Sequence, residues 1–280
     1  MGRRSAGELV AAGVLLLCIL RPASALSFHA TLDPIRMYAK PGEVVNHTFE
    51  LTLAKDERAV HFHAHIQDWW LGEDGQQHFY RDPGSPEAPK HSCAFWATLN
   101  PVEAQVEPGG TLAVKVTVRV PPQVQPGGYW AALTVDELPD PLTNPPGVGM
   151  RLYTSISVGI YVYIDPVERK ARITEIRVLP DHAELKIRNE GNCPLAVEGR
   201  IEFLKSGAKN PTDTVVIPRS PSLPEPFDTT TIVVPLNDAR ALPSGQYLVR
   251  AVLDIGTDYY LGAQKEMLVS REASPTTSVP

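Results

Sequence analysis

The sequence predicts an all-β protein built as two tandem β-sandwiches, and three observations carry that prediction. Apolar and polar residues alternate with a period of two along many short runs. Turns rich in proline and glycine separate the runs. One phrase occurs twice: residues 126–134 read Pro-Gly-Gly-Tyr-Trp-Ala-Ala-Leu-Thr, and residues 243–252 read Pro-Ser-Gly-Gln-Tyr-Leu-Val-Arg-Ala-Val. Each copy follows a β-branched run ending in Val-Pro (Val120-Pro121, Val234-Pro235) and leads into another strand pattern. A glycine turn feeding a tyrosine-led strand late in a domain is how many immunoglobulin-like sandwiches enter their penultimate strand.

Residues 1–25 read as an export signal outside the fold. Arg3 and Arg4 make a positive start, Leu9–Leu20 is apolar, and Ala23-Ser24-Ala25 is a small-x-small cleavage site. The apolar stretch is shorter than the ~20 residues a bilayer span needs. Cys18 follows Leu17 rather than a small residue, which argues against lipidation. No later segment is apolar enough to span a membrane. The destination is the periplasm, the cell surface or the extracellular space.

A first immunoglobulin-like sandwich is expected over 26–166. Val45, His47, Phe49, Leu51 and Leu53 alternate with polar residues, as do Leu112, Val114, Val116 and Val118. Val60, Phe62, Ala64 and Ile66 form another buried face. Met150, Leu152, Thr154, Ile156, Val158, Ile160 and Val162 make a long final one, preceded by the Pro-rich loop Leu138–Gly149. Asp165-Pro166 closes the domain. The second sandwich, over 167–272, reads as about seven strands: 173–178, 182–189, 195–204, 214–217, 229–236, 246–254 and 259–269. The tail 273–280 is Ser/Thr/Pro-rich and expected to be disordered.

The net charge of −6 without a basic cluster argues against nucleic acid or an anionic membrane as partner. The 27 prolines exceed the usual ~5% and sit between runs, where they end strands and guard edges. Cys93 and Cys193 are 100 residues apart, so a bridge would cross the domain boundary, whereas an immunoglobulin-type bridge lies within one sandwich. Asn46-His47-Thr48 matches a glycosylation sequon but falls mid-strand. No nucleophile elbow, phosphate-cradling loop or HExxH is present, so the sequence points to neither an enzyme nor a cofactor.

Three constellations are candidate sites. His61, His63 and His65 share the face opposite Val60, Phe62 and Ala64, and His-x-His on a strand presents two imidazoles to one Zn²⁺ or Cu²⁺ ion. Neighbours two apart lie about 6–7 Å from each other, so a third ligand must come from elsewhere, with Asp68, His78 and His91 as candidates. Against this, the three are equally solvent-facing polar residues of a half-buried strand. Trp69 and Trp70 fall on opposite faces by the same periodicity: one suits a sandwich core, and the other is left as a recognition ring. The third is the Met150–Ile164 run, whose second face carries Tyr153, Ser155, Ser157, Gly159, Tyr161 and Tyr163. At a sheet edge it would accept a partner's strand; paired internally, it would only bridge the domains.

The layout resembles that of the PapD-like periplasmic chaperones of pilus assembly and related bacterial secreted two-domain proteins. Asp33-Pro34-Ile35-Arg36-Met37-Tyr38 looks like their first-strand pattern. Phe95–Pro101 with Val106–Gly109, the aromatic run Gly128–Leu133, and Val162–Pro166 are similar to later segments. The resemblance implies that Arg36 anchors the C-terminal carboxylate of a client. The lysine that shares this role in the family falls near Gly159 or Tyr161, and neither is a lysine. The expected function is therefore an exported, non-catalytic protein-binding protein. It would assist pilus or surface-protein assembly by strand addition along Met150–Ile164, with Arg36, Tyr153, Ser155, Ser157 and Tyr161 at the site. Two alternatives stand beside it: a structural or adhesive envelope module binding protein or glycan through Trp69 or Trp70, and a metal-binding envelope protein using His61, His63 and His65.

Overall fold

The computed structural model describes residues 26–80, 90–139, 153–179, 181–236 and 242–269. The expected leader, the expected tail, Met150–Leu152 and most of the Pro-rich loop lie outside the described residues. Among the described residues there is no α-helix, and so none long and apolar enough to cross a membrane.

In chain order the first half contributes β1 (Phe28–Ala30), β2 (Ile35–Tyr38), β3 (Val44–Leu53), β4 (Val60–Gln67), β5 (Trp69–Leu71), β6 (Gln77–Phe79), β7 (Ala97–Asn100), β8 (Glu103–Val106), β9 (Thr111–Arg119), β10 (Gly127–Glu137) and β11 (Ser155–Ile164). The second half contributes β12 (Ala171–Val178), β13 (His182–Asn189), β14 (Leu195–Lys205), β15 (Asp213–Ser222), β16 (Thr229–Pro235), β17 (Gly245–Asp254) and β18 (Leu261–Val269). A four-stranded sheet of order β1-β3-β9-β7 faces a five-stranded sheet of order β2-β11-β10-β4-β8. In the second half, β12-β13-β16 faces β15-β14-β17-β18, and β5 and β6 form a separate hairpin. The molecule is thus a tandem pair of β-sandwiches.

Period-two alternation drives this layering. Phe49, Leu51 and Leu53 of β3 and Val114, Val116 and Val118 of β9 point inward against Val60, Phe62, Leu133, Val135, Val158 and Ile160 of the facing sheet. The duplicated phrase forms the same device twice. Tyr129 at the start of β10 donates its hydroxyl to the Gln125 carbonyl at 3.0 Å, and Tyr247 at the start of β17 donates to the Pro243 carbonyl at 3.0 Å. Each hydroxyl reaches back four residues and pins the turn that leads into the penultimate strand of its sandwich, a tyrosine corner.

Along β10 the alternation disappears, and every residue but Asp136 is buried. The odd-numbered residues face the first sandwich's core; Trp130 and Ala132 instead pack against the second sandwich. The junction is tight. The Gly128 N–H donates to the Asn192 carbonyl at 2.9 Å, and a Cβ on Gly128 would stand 2.4 Å from Pro194 Cδ and 2.7 Å from Cys193 Cβ. Only a residue without a side chain fits there.

Cys93 and Cys193 are both free and both buried, in different cores. Burial, reinforced by the Asp68 charge, raises the Cys93 thiol, and burial pushes the Cys193 thiol up to about 11. The reactive species is the thiolate. Iodoacetamide at about pH 8 should therefore label neither cysteine of the native chain and both after unfolding without reductant; an unlabelled unfolded chain would reveal a bridge. Gly128→Ala should destabilise the chain by about 1–3 kcal/mol through overpacking at the junction, read from urea unfolding curves; an unchanged midpoint would show that the junction yields.

Candidate functional site

A cleft opens where the two sandwiches meet. Its inner wall begins with a reciprocal pair of indoles. Trp130 Nε1 donates to the Trp69 carbonyl at 2.9 Å, and Trp69 Nε1 donates to the Ala131 carbonyl at 3.2 Å. Trp69 meets Tyr161 edge-on, with ring centroids 6.3 Å apart. Tyr163 stacks on Tyr38 at 5.2 Å, lies under the Arg169 guanidinium at 5.5 Å, and donates to the Pro194 carbonyl at 3.5 Å.

Arg36 stands at the mouth of this cleft because β2 runs parallel to β11, pairing Arg36 with Tyr161 and Tyr38 with Tyr163. Ile35 and Met37 are buried, so Arg36 projects outward. Arg219, on β15 of the second sandwich, lines the same cleft, which encloses ≈ 290 Å³. Both guanidiniums act on one hydroxyl. Burial raises the Tyr161 phenol above its ordinary range and Tyr163 adds to the rise, while Arg36 and Arg219 oppose it. Among the described residues, neither arginine has an ion-pair partner, and Glu198 and Asp254 line the adjoining hollow that Arg36, Arg219 and Arg169 also face. The cleft is a tyrosine-rich slot lined by two guanidiniums, with two carboxylates in the hollow beside it.

The cleft continues into an open sheet edge. On one side β11 pairs with β10 over its whole length; on the other, β2 covers only Ile160–Tyr163. Ser155–Gly159 therefore has no strand on that side among the described residues. Ser155 and Ser157 are exposed on the outer face, and Tyr153 is an exposed aromatic just before the strand. The expected single exposed edge is thus divided. Tyr161 and Tyr163 are buried under the second sandwich, and only the first half of the strand is open. The ring of Tyr161 lies over Gly159, where a Cβ would come within 2.9 Å of Tyr161 Cε2. Arg219 reaches the same cleft from the second sandwich.

Trp69 is buried, as one of the tryptophan pair was expected to be. The other ring, expected to be partly exposed, keeps part of its surface. Trp70 is half-buried, stacked on His78 at 4.8 Å and packed by Tyr80 at 4.2 Å and Phe227 at 6.3 Å. The aromatic offered to the cleft is instead Phe79, 40% exposed on β6. Sequence reasoning missed both Phe79 and Arg219, because each reaches the cleft from a segment remote in the chain.

The three histidines do share one face of β4, but they do not act together. His61 Nε2 lies 3.8 Å from Glu103, while the His63 and His65 rings stack at 5.4 Å beside Asp136. The other supposed ligands are engaged elsewhere. Asp68 is buried and accepts from Ser92 Oγ at 2.5 Å, His78 stacks on Trp70, and His91 Nδ1 meets the Gly128 carbonyl at 3.1 Å. Burial holds the His91 imidazole below its ordinary pKa.

No family model and no curated protein matches the chain. Among solved structures it is similar to a chain of the Salmonella enterica SafA pilin in complex with the SafB chaperone, at 12% identity and a TM-score of 0.47, covering 86% of this chain and 97% of that one. It is similar to the Pseudomonas aeruginosa CupB2 chaperone at 13% identity and a TM-score of 0.44, covering 86% and 100%. It is also similar to the E. coli chaperone DraB at 14% identity and a TM-score of 0.44, covering 85% and 96%.

Proposed function

We propose that this chain is an exported, non-catalytic binding protein that holds an extended segment of a protein subunit by strand addition. One observation carries the reading: among the described residues, the unpaired edge Ser155–Gly159 runs directly into a cleft lined by two guanidiniums without ion-pair partners. An edge of five residues offers its backbone groups over about 16 Å. A segment laid along it is collinear with β2 and ends beside Arg36, which sits one residue past the first β2–β11 pair. If that segment runs parallel to β11, its C-terminal carboxylate enters the cleft. Arginine recognises a carboxylate through two parallel N–H···O bonds. Arg36 is the anchor, Arg219 the second cation, and Tyr161 the buried floor between them.

The client class is a pilus or surface-protein subunit, the chemistry implied by the sequence resemblance, and the compartment is the periplasm. The alternative of an adhesive module reading its partner through Trp69 and Trp70 has less support, because Trp69 is buried and Trp70 is half-buried against His78, Tyr80 and Phe227.

A peptide of alternating apolar residues with a free C-terminal carboxylate should bind the purified chain. Amidating that carboxylate should weaken binding about 10–100-fold, the worth of a charge-assisted pair. Arg36→Ala and Arg219→Ala should each abolish the difference between acid and amide, read by fluorescence anisotropy. Ser157→Glu should weaken both peptides while leaving the melting temperature unchanged. Equal affinity for acid and amide would remove the carboxylate anchor, and unchanged binding by Ser157→Glu would remove the edge.

A further inference from the structure

The histidine pair on β4 belongs to neither the cleft nor the open edge, and its surroundings are organised. We infer that His63, His65 and Asp136 form a binding site for one divalent transition-metal ion of the Zn²⁺ class. The inference does not depend on the strand-addition reading.

The site follows from register. β4 and β10 pair antiparallel with His63 opposite Asp136 and His65 opposite Thr134. On the outer face of this sheet the three side chains therefore form a compact triangle. One donor atom from each lies within 4.8 Å of the others, and all three residues are half-buried. His65 Nδ1 stands 3.4 Å from Asp136 Oδ2. That is longer than a hydrogen bond of about 2.7–3.2 Å. It is close to the separation, about 3.3–3.5 Å, of two ligands each some 2.0–2.2 Å from a shared tetrahedral ion. His65 Nδ1 is itself buried and makes no hydrogen bond. A buried ring nitrogen without a partner costs free energy unless something accepts its lone pair or its proton. A metal ion supplies that partner.

One of the three ligands, Asp136, has the support that metal ligands require. Ser155 Oγ donates to Asp136 Oδ1 at 2.5 Å, which occupies one carboxylate oxygen and turns the other toward the imidazoles. Beneath His65, Thr134 Oγ1 is held between Gln67 Nε2 at 2.5 Å and Ser157 Oγ at 2.8 Å. The imidazoles stack at an interplanar angle of 20°. Two imidazoles and one carboxylate are a donor set of borderline softness, suited to Zn²⁺ and Cu²⁺ and poorly suited to Ca²⁺ or Mg²⁺. Three protein ligands at a half-exposed face leave a fourth position open to water. His61 lies outside the triangle, beside Glu103, and serves as an internal control.

The test is titration of the chelator-stripped chain with Zn²⁺ by calorimetry, with Co²⁺ as a spectroscopic probe. The expected result is one Zn²⁺ per chain, a Zn²⁺-dependent rise in melting temperature, and visible Co²⁺ absorption of a four- or five-coordinate site. His63→Ala and His65→Ala should each weaken Zn²⁺ binding by about a hundredfold or more, and Asp136→Asn by about tenfold. His61→Ala should leave stoichiometry and affinity as they were. His63→Gln keeps the half-buried face polar and should lose Zn²⁺ while retaining the metal-free melting temperature, which separates lost ligation from misfolding. Absence of Zn²⁺ binding overturns the site, as does binding that survives His63→Gln or is lost in His61→Ala.

Discussion

Two indole N–H groups lie out of reach of water between the sandwiches, and each has to find an acceptor there. Trp130 takes the Trp69 carbonyl and Trp69 takes the carbonyl beside Trp130, so each satisfies the other's segment. This reciprocal pair, with Tyr161 and Tyr163, makes one end of the five-stranded sheet's outer face apolar, and the second sandwich covers it. The other end of the same face carries His63, His65, Thr134, Asp136, Ser155 and Ser157 and stays outside that contact. One sheet face is thereby divided between an interdomain core and an aqueous surface, and the cleft forms at the line between them.

The two candidate sites follow from that division. At the boundary, Arg36 and Arg219 approach from different sandwiches, and their charges are brought together only because the apolar half is buried. Beyond it, β2 is four residues long against ten in β11, so the strand that closes the sheet stops short. The open edge is the remainder. The histidine triangle lies two strands in from that edge, and Ser155 links the two: it belongs to the edge strand and also orients the Asp136 carboxylate.

Much of the fold was legible because strand periodicity is local. The runs at Val45–Leu53, Val60–Ile66 and Leu112–Val118, and those of the second half, needed only alternation and turn residues to be seen. The duplicated phrase marked the entry to both penultimate strands, where each tyrosine hydroxyl reaches four residues back. Within the sites, local rules reached the side of a strand a residue takes but not what covers it. Alternation put Tyr161 and Tyr163 with Ser155 and Ser157, yet the second sandwich buries only the tyrosines. The same rule separated Trp69 from Trp70, yet the hairpin residues His78 and Tyr80, with Phe227 from the second half, pack against the ring that sequence left for recognition.

The sequence by itself determined that this is an all-β tandem sandwich and that His61, His63 and His65 share a face. Each of these depends on neighbours within a few residues. Only the tertiary structure decided that Asp136 rather than His61 completes the histidine triangle, that Arg219 reaches the cleft of Arg36, and that, among the described residues, the free edge ends at Gly159. Those outcomes depend on register between strands roughly 70 residues apart, on packing between domains and on the length of a pairing strand. Such quantities are settled by burial across the whole chain, and no short window of sequence contains them.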